Sequence, residues 1–346
     1  MIRLVIIIFR FFFRIFPLLI LYIAIYRDPA RIRLRKAGIR EKDRPCGVVR
    51  FHYAESSDTD KPPLLLLHGH MRDWLSFQRV IVPLSEKYHV FALDLPGHGQ
   101  TKYPDDYELS ASSIAASLSL FIEEVIGRPV YICAHSTGGL AAVRLASERP
   151  DLIRALILED VPLLTGEYPA LRKTAAYEIF ALCREAAEKD NEGDFPLYAL
   201  SHLRLFVPHE PFPGYRIYLY VLIRLAKMLH GQGVLEIPFV SVSMRELLRG
   251  MDLYDTRFGK AFFDGTWNEG FDHAHALTKI SCPVLLMQSE AVYRDDGTLL
   301  SAMSDEAVSF VLSRLNHGTY LKIPAGDIMH LRDPQTFVTA VSDFLH

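Results

Sequence analysis

Four short runs, residues 64–67, 90–93, 130–133 and 155–158, are apolar at every position rather than at every second one. A strand carries such a run where both of its faces are covered, as in a parallel sheet with helices on either side. Segments of helical spacing separate the runs, at 74–87, 110–126 and 140–146, with Gly- and Pro-containing turns between them. Strand and helix in alternation predict a doubly wound, mostly parallel α/β sheet. A shorter strand at 48–53 precedes them, and the alternation resumes with strands at 284–287 and 320–323 and helices near 305–315 and 337–345.

Between about 161 and 276 the alternation stops. The pattern there is mostly helical, broken by Pro208, Pro211, Pro213 and a turn at Gly231–Gly233. That is too long for a loop and reads as an inserted helical cap. The expected organisation is a hydrophobic helix at 1–27, a first core part at 28–160, the cap at 161–276 and a second core part at 277–346. One cap segment, 215–229, spaces Arg216, Arg224 and Lys227 among apolar residues. It is expected to pack on its neighbours as an ordinary amphipathic helix.

The N-terminus stands apart. Residues 4–26 are apolar except for Arg10 and Arg14. In a helix they would reach about 34 Å, enough for a bilayer core of about 30 Å. Seven basic residues between Arg27 and Lys42 follow. By the positive-inside rule this arrangement predicts a single-pass membrane anchor that contacts lipid, with the body of the chain on the cytoplasmic side. A cleaved leader fits less well, because the run is long and lacks an Ala-x-Ala site.

With 346 residues, half of them hydrophobic, and a net charge of −3, the chain can bury a large core and shows no basic bias toward nucleic acid. Cys46, Cys133, Cys183 and Cys282 are widely spaced and read as reduced, buried thiols, suggesting neither a disulfide framework nor a zinc site.

The third fully apolar run ends in Ala134-His135-Ser136-Thr137-Gly138-Gly139 and passes directly into a helical segment. A serine at a sharp strand-to-helix turn is a nucleophile elbow. Ala134 and Gly138, two residues before and after Ser136, are small enough to let the chain pass close to itself. The same pattern also suits a serine that merely caps a helix.

Other motifs narrow the choice. Leu67-His68-Gly69 follows a buried strand, and Asp94-Leu95-Pro96-Gly97-His98-Gly99 follows the next. Cys282-Pro283-Val284-Leu285-Leu286 opens a late strand, and Gly326-x-x-x-His330-x-x-x-Pro334 lies near the end. In this order and spacing the chain resembles the α/β-hydrolase superfamily, specifically its capped members with a serine nucleophile, over residues 48–346. The resemblance implies acyl transfer through Ser136, with the backbone N–H groups of Thr137 and His70 as oxyanion donors. It implies a histidine base after the last strand and an acid after an earlier one. The side chains of His68, His70 and His98 are expected to order loops, and His135 to line the pocket.

Here the chain departs from the usual form. Relatives commonly read Gly-His-x-x-His-x-x-x-Pro, with the first histidine catalytic, and this chain has Asp327 at that position. Either the loop shifts and His330 serves as base, or the base is missing. His330 is the expected base. The expected acid is Asp296, in a loop that also holds Glu290 and Asp295, with Asp160 as runner-up. The function expected is a serine hydrolase cleaving an ester or related acyl bond of a hydrophobic, lipid-like small molecule, with no metal or organic cofactor. Two alternatives stay open: a catalytically impaired binding protein at a membrane, and a C–C bond hydrolase or acyltransferase using the same serine. Dehalogenase or epoxide-hydrolase chemistry is disfavoured, because its alkyl-ester intermediate needs a carboxylate nucleophile.

Overall fold

The computed structural model describes residues 17–346 apart from 190–193, 207–209, 232, 325 and 327. Eight strands form one sheet: β1 (Arg40–Cys46), β2 (Val49–Glu55), β3 (Pro63–Leu67), β4 (His89–Leu93), β5 (Val130–His135), β6 (Ile153–Glu159), β7 (Val284–Gln288) and β8 (Gly318–Lys322). Their spatial order is β1-β2-β4-β3-β5-β6-β7-β8. β1 and β2 run antiparallel at one edge, and from β4 to β8 every pairing is parallel.

The fully apolar runs supply both faces of this sheet. Leu65 and Leu67 join one hydrophobic cluster with Phe91, Leu93, Ile132 and Leu158, while Leu64 and Leu66 join a second on the opposite side with Val90, Ala92, Cys133 and Ile157. Burial on both sides is the condition the sequence pattern required.

The longer helices are α1 (Pro29–Lys36), α2 (Ala111–Phe121), α3 (Thr137–Glu148), α4 (Ala175–Glu188), α5 (Tyr215–His230), α6 (Val242–Asp252), α7 (Thr256–Asp264), α8 (Asp305–Arg314) and α9 (Pro334–Phe344). α4 to α7 lie between β6 and β7, in the stretch read as a cap. α5 buries Leu219, Leu222, Ile223 and Ala226 in a separate apolar cluster with Leu235, Ile237 and Met244. Ser110 caps α2 by accepting the Ser113 N–H. The helix expected over 74–87 is instead a 3₁₀ turn at Trp74–Phe77 and a short helix at Ile81–Ser85.

The membrane expectation does not hold. Residues 1–16 lie outside the described part, and no described helix is long and apolar enough to cross a membrane. The described helix at 17–25 ends before Asp28, which caps α1 by accepting the Ala30 N–H, with Pro29 in the first turn. Ile23 is buried in the same apolar cluster as α5, so part of the hydrophobic run packs against protein. The basic residues are also partly used up. Arg31 pairs with Glu41 and reaches Glu236, and Arg33 donates to the Gln78 carbonyl. Neither a single-pass anchor nor a lipid-facing role for this segment is supported.

A buried ionic link ties this segment to the core. Arg249 of α6 donates from Nε and Nη2 to both oxygens of Asp73, at 2.6 and 2.8 Å, and its Nη1 lies 3.5 Å from Asp28. Asp73 sits just after the loop that carries His70. All four cysteines are free and buried.

Candidate active site

Parallel strands of an open α/β sheet converge their side chains and loops at their C-terminal ends, where ligands bind. β5 ends there at His135, paired in register with Glu159 at the end of β6. Ser136 follows with φ 50° and ψ −127°, and α3 starts at Thr137. A left-handed φ at a non-glycine residue is strained, and this one is held by its surroundings. The Ser136 N–H donates to the Glu159 carbonyl at 2.9 Å, and the Ser136 carbonyl accepts the Gly139 N–H at 2.9 Å.

Neighbouring glycines are what allow the turn. A Cβ on Gly138 would stand 2.3 Å from the His68 carbonyl oxygen, and one on Gly69 would stand 2.8 Å from the Ser136 Cβ. Ser136 is half-buried and borders a cavity of about 740 Å³ together with His70, Thr137, Asp160, Phe180 and Ile328. Cavities of this size suit small-molecule ligands.

The histidines separate by environment. His68 is buried, with Nδ1 against the Gly69 carbonyl at 2.9 Å and Nε2 accepting the Leu95 N–H at 3.0 Å, so it orders its loop. His70 turns its Nε2 to the Tyr254 hydroxyl. Burial, aided by the charge of Arg72, pushes its pKa down to about 3, so its ring is neutral near pH 7. Burial pushes His98 down as well; it packs among His68, Tyr254 and Phe258. His135 lines the cavity, as expected.

His330 is fully buried. Its Nδ1 donates to Glu159 Oε2 at 2.6 Å, its backbone N–H donates to Glu159 Oε1 at 2.9 Å, and its Nε2 lies 2.8 Å from the Ser76 hydroxyl. Burial opposes ionisation of Glu159, but the attraction of His330 and the hydrogen bond it makes hold the carboxyl below its usual range. With Nδ1–H on the carboxylate, Nε2 is the ring atom that faces the Ser76 hydroxyl. The His330 and His135 rings meet edge to face with centroids 5.3 Å apart.

Ser136, His330 and Asp296 are therefore not joined by hydrogen bonds. Asp296 is exposed and accepts the Thr298 N–H at 2.9 Å within its own turn, so it caps that turn rather than orienting an imidazole. Asp160 is buried, borders the cavity and adopts φ 45°. Asp327 lies outside the described residues. The residues the sequence reading missed are Ser76 and Glu159. Glu159 ends a strand directly after the unbroken apolar run at 155–158. A carboxylate placed there must be buried and must find a partner. That was the available signal. Among the described residues, no group of three or more His, Cys, Asp or Glu is arranged to hold a metal ion.

Comparison with known proteins agrees with this architecture. A family model described as the alpha/beta hydrolase fold matches residues 62–236, half of the chain. Epoxide hydrolase 4 of Mus musculus is 30% identical over 165 residues, 45% of this chain and 45% of that protein. An esterase of Mycobacterium tuberculosis is 35% identical over 100 residues, 29% of this chain and 33% of that protein. The matched stretches thus span less than half the length of these curated relatives. Among solved structures, a bacterial membrane phospholipase A superposes with a TM-score of 0.63 at 21% identity, covering 97% of each chain. A carboxylesterase of Bacillus subtilis superposes with a TM-score of 0.59 at 16% identity, covering 91% of this chain and 98% of that one. At such identities the likeness is one of fold. The sheet order, the strained turn at Ser136 and the matching family model lead to one conclusion: this chain belongs to the α/β-hydrolase fold family.

Proposed function

We propose that the chain is a serine hydrolase that cleaves an ester or related acyl bond of a hydrophobic small molecule. The observation that carries this reading is Ser136 itself, a half-buried hydroxyl on a strained turn at the edge of a ligand-sized cavity. Its Oγ would attack the acyl carbon, the alcohol would leave, and water would release the acid from the acyl-enzyme. Thr137 opens α3, and the first N–H groups of a helix have no acceptor within it. With the His70 N–H it would receive the oxyanion.

In this reading His330 is the base and Glu159, in place of Asp296, orients it. The carboxylate fixes the tautomer a base requires. To act, Nε2 must exchange the Ser76 hydroxyl for that of Ser136. Epoxide opening, suggested by the names of several relatives, fits less well, since Ser136 stands where an alkyl-ester route needs a carboxylate.

A second reading, a catalytically impaired protein that binds a ligand in the same cavity, is favoured by the bond between His330 and Ser76. A fluorophosphonate probe separates the two. Labelling of the wild type that vanishes in Ser136→Ala supports the hydrolase. A folded protein that stays unlabelled at millimolar probe supports the binder.

A further inference from the structure

Among the described residues, the walls of the Ser136 cavity carry three arginines, Arg72, Arg204 and Arg294, against one carboxylate, Asp160. Arg294 donates to Glu178 at 2.6 Å and is neutralised. Arg72 and Arg204 form no ion pair among the described residues. Arg72 follows His70 by two positions and borders the cavity; its Nη1 is buried without a hydrogen-bond partner, and its charge attracts the buried Glu246 carboxyl without an ion-pair contact. Leaving a buried charged donor unpaired is unfavourable, so such a group is a standing demand for an acceptor. The rest of the wall is mainly apolar, including Ile179, Phe180, Phe206 and Phe262. His70, neutral near pH 7, adds no competing charge.

We propose that this cavity takes an amphiphile with an anionic group, a carboxylate or a phosphate, which Arg72 and Arg204 hold while the apolar body lies against the phenylalanines. Planar guanidinium groups match the paired oxygens of either anion. The inference rests on the proposed hydrolase only for what is cleaved; that such a ligand binds is independent of turnover.

The test is calorimetric titration of the full chain with octanoate, octyl phosphate and 1-octanol, which share a chain and differ in their end group. At least one anion is expected to bind about tenfold or more tightly than 1-octanol, the scale of one charge-assisted hydrogen bond. The tighter of the two identifies the anion. Arg72→Gln and Arg204→Gln should each remove most of that preference, and Arg72→Lys should keep part of it. Arg204 is exposed, so its replacement does not disturb the core. Equal binding of 1-octanol and both anions, or a preference that survives the double Arg→Gln variant, overturns the proposal. Anion preference without fluorophosphonate labelling would remove the hydrolase reading alone. Labelling without anion preference would remove this inference alone.

Discussion

Glu159 holds His330 at two points: one carboxylate oxygen takes the ring Nδ1–H at 2.6 Å and the other takes the backbone N–H at 2.9 Å. Both residues are fully buried, so the pair is shielded from water and neither member has a substitute partner in solvent. Breaking a buried pair by removing one side costs about 3–5 kcal/mol. Glu159→Ala is therefore expected to lower unfolding free energy by that amount at pH 7, as measured by urea titration. The pH dependence has a definite sign. The Glu159 carboxyl is held below its usual range in the folded chain, so its contribution is complete above the ordinary value of about 4.3 and fades as pH falls through the depressed one. The gap between wild type and variant should narrow in acid; a gap that widens there contradicts the pairing.

Strain at Ser136 can be weighed directly. Glycine adopts φ 50°, ψ −127° without the Cβ penalty, whereas alanine does not. Ser136→Gly should raise stability by about 1 kcal/mol over Ser136→Ala, the lower end of the cost of a residue held in a sparse backbone region. Thermal melting of the two variants reads this difference, and equal melting points would mean that the turn is relaxed.

Space beside the turn is equally testable. A methyl group at Gly138 meets the His68 carbonyl oxygen at 2.3 Å, and that oxygen belongs to backbone that cannot step aside cheaply. Gly138→Ala is expected to cost about 2–3 kcal/mol, within the range for overpacked interiors. Gly127→Ala supplies the contrast. Gly127 has φ +72° with nothing within 4 Å of an added Cβ, so only backbone strain of about 1 kcal/mol applies. Denaturant midpoints should separate the two.

The base assignment has its own experiment. If His330 takes the Ser136 proton, His330→Gln should lower kcat about 10²–10⁴-fold on a chromogenic ester with KM little changed. Asp327→His in that background places an imidazole at the position relatives commonly use, and it should restore part of kcat. A His330→Gln variant that is folded by near-ultraviolet circular dichroism and fully active would remove His330 from the mechanism.

Much of the scaffold could be read from residue order, because burial on both faces leaves a local mark: an unbroken apolar run. β1 left no such mark. Its residues, Arg-Glu-Lys-Asp-Arg-Pro-Cys, are mostly exposed and charged, as suits an edge strand, and they resemble a loop in one dimension. Ser136 was legible for the same local reason as the core strands, since the strand, the turn and the helix adjoin in sequence. The surroundings of His330 were not. Its partners Ser76 and Glu159 lie 254 and 171 residues away, and only the three-dimensional path of the chain brings them together. Asp296 misled because an acid before a glycine suits a turn as well as a triad, and here its hydrogen bond goes to the turn.

Arg249 has a wider reach than its own helix. A single guanidinium joins Asp28 near the start of the described chain, the helix α6 and Asp73 beside the His70 loop. Damage to the leading segment thus need not stay local. Trimming the protein past Asp28 would loosen the grip on Asp73 and be felt, at second hand, in the loop that borders the Ser136 cavity.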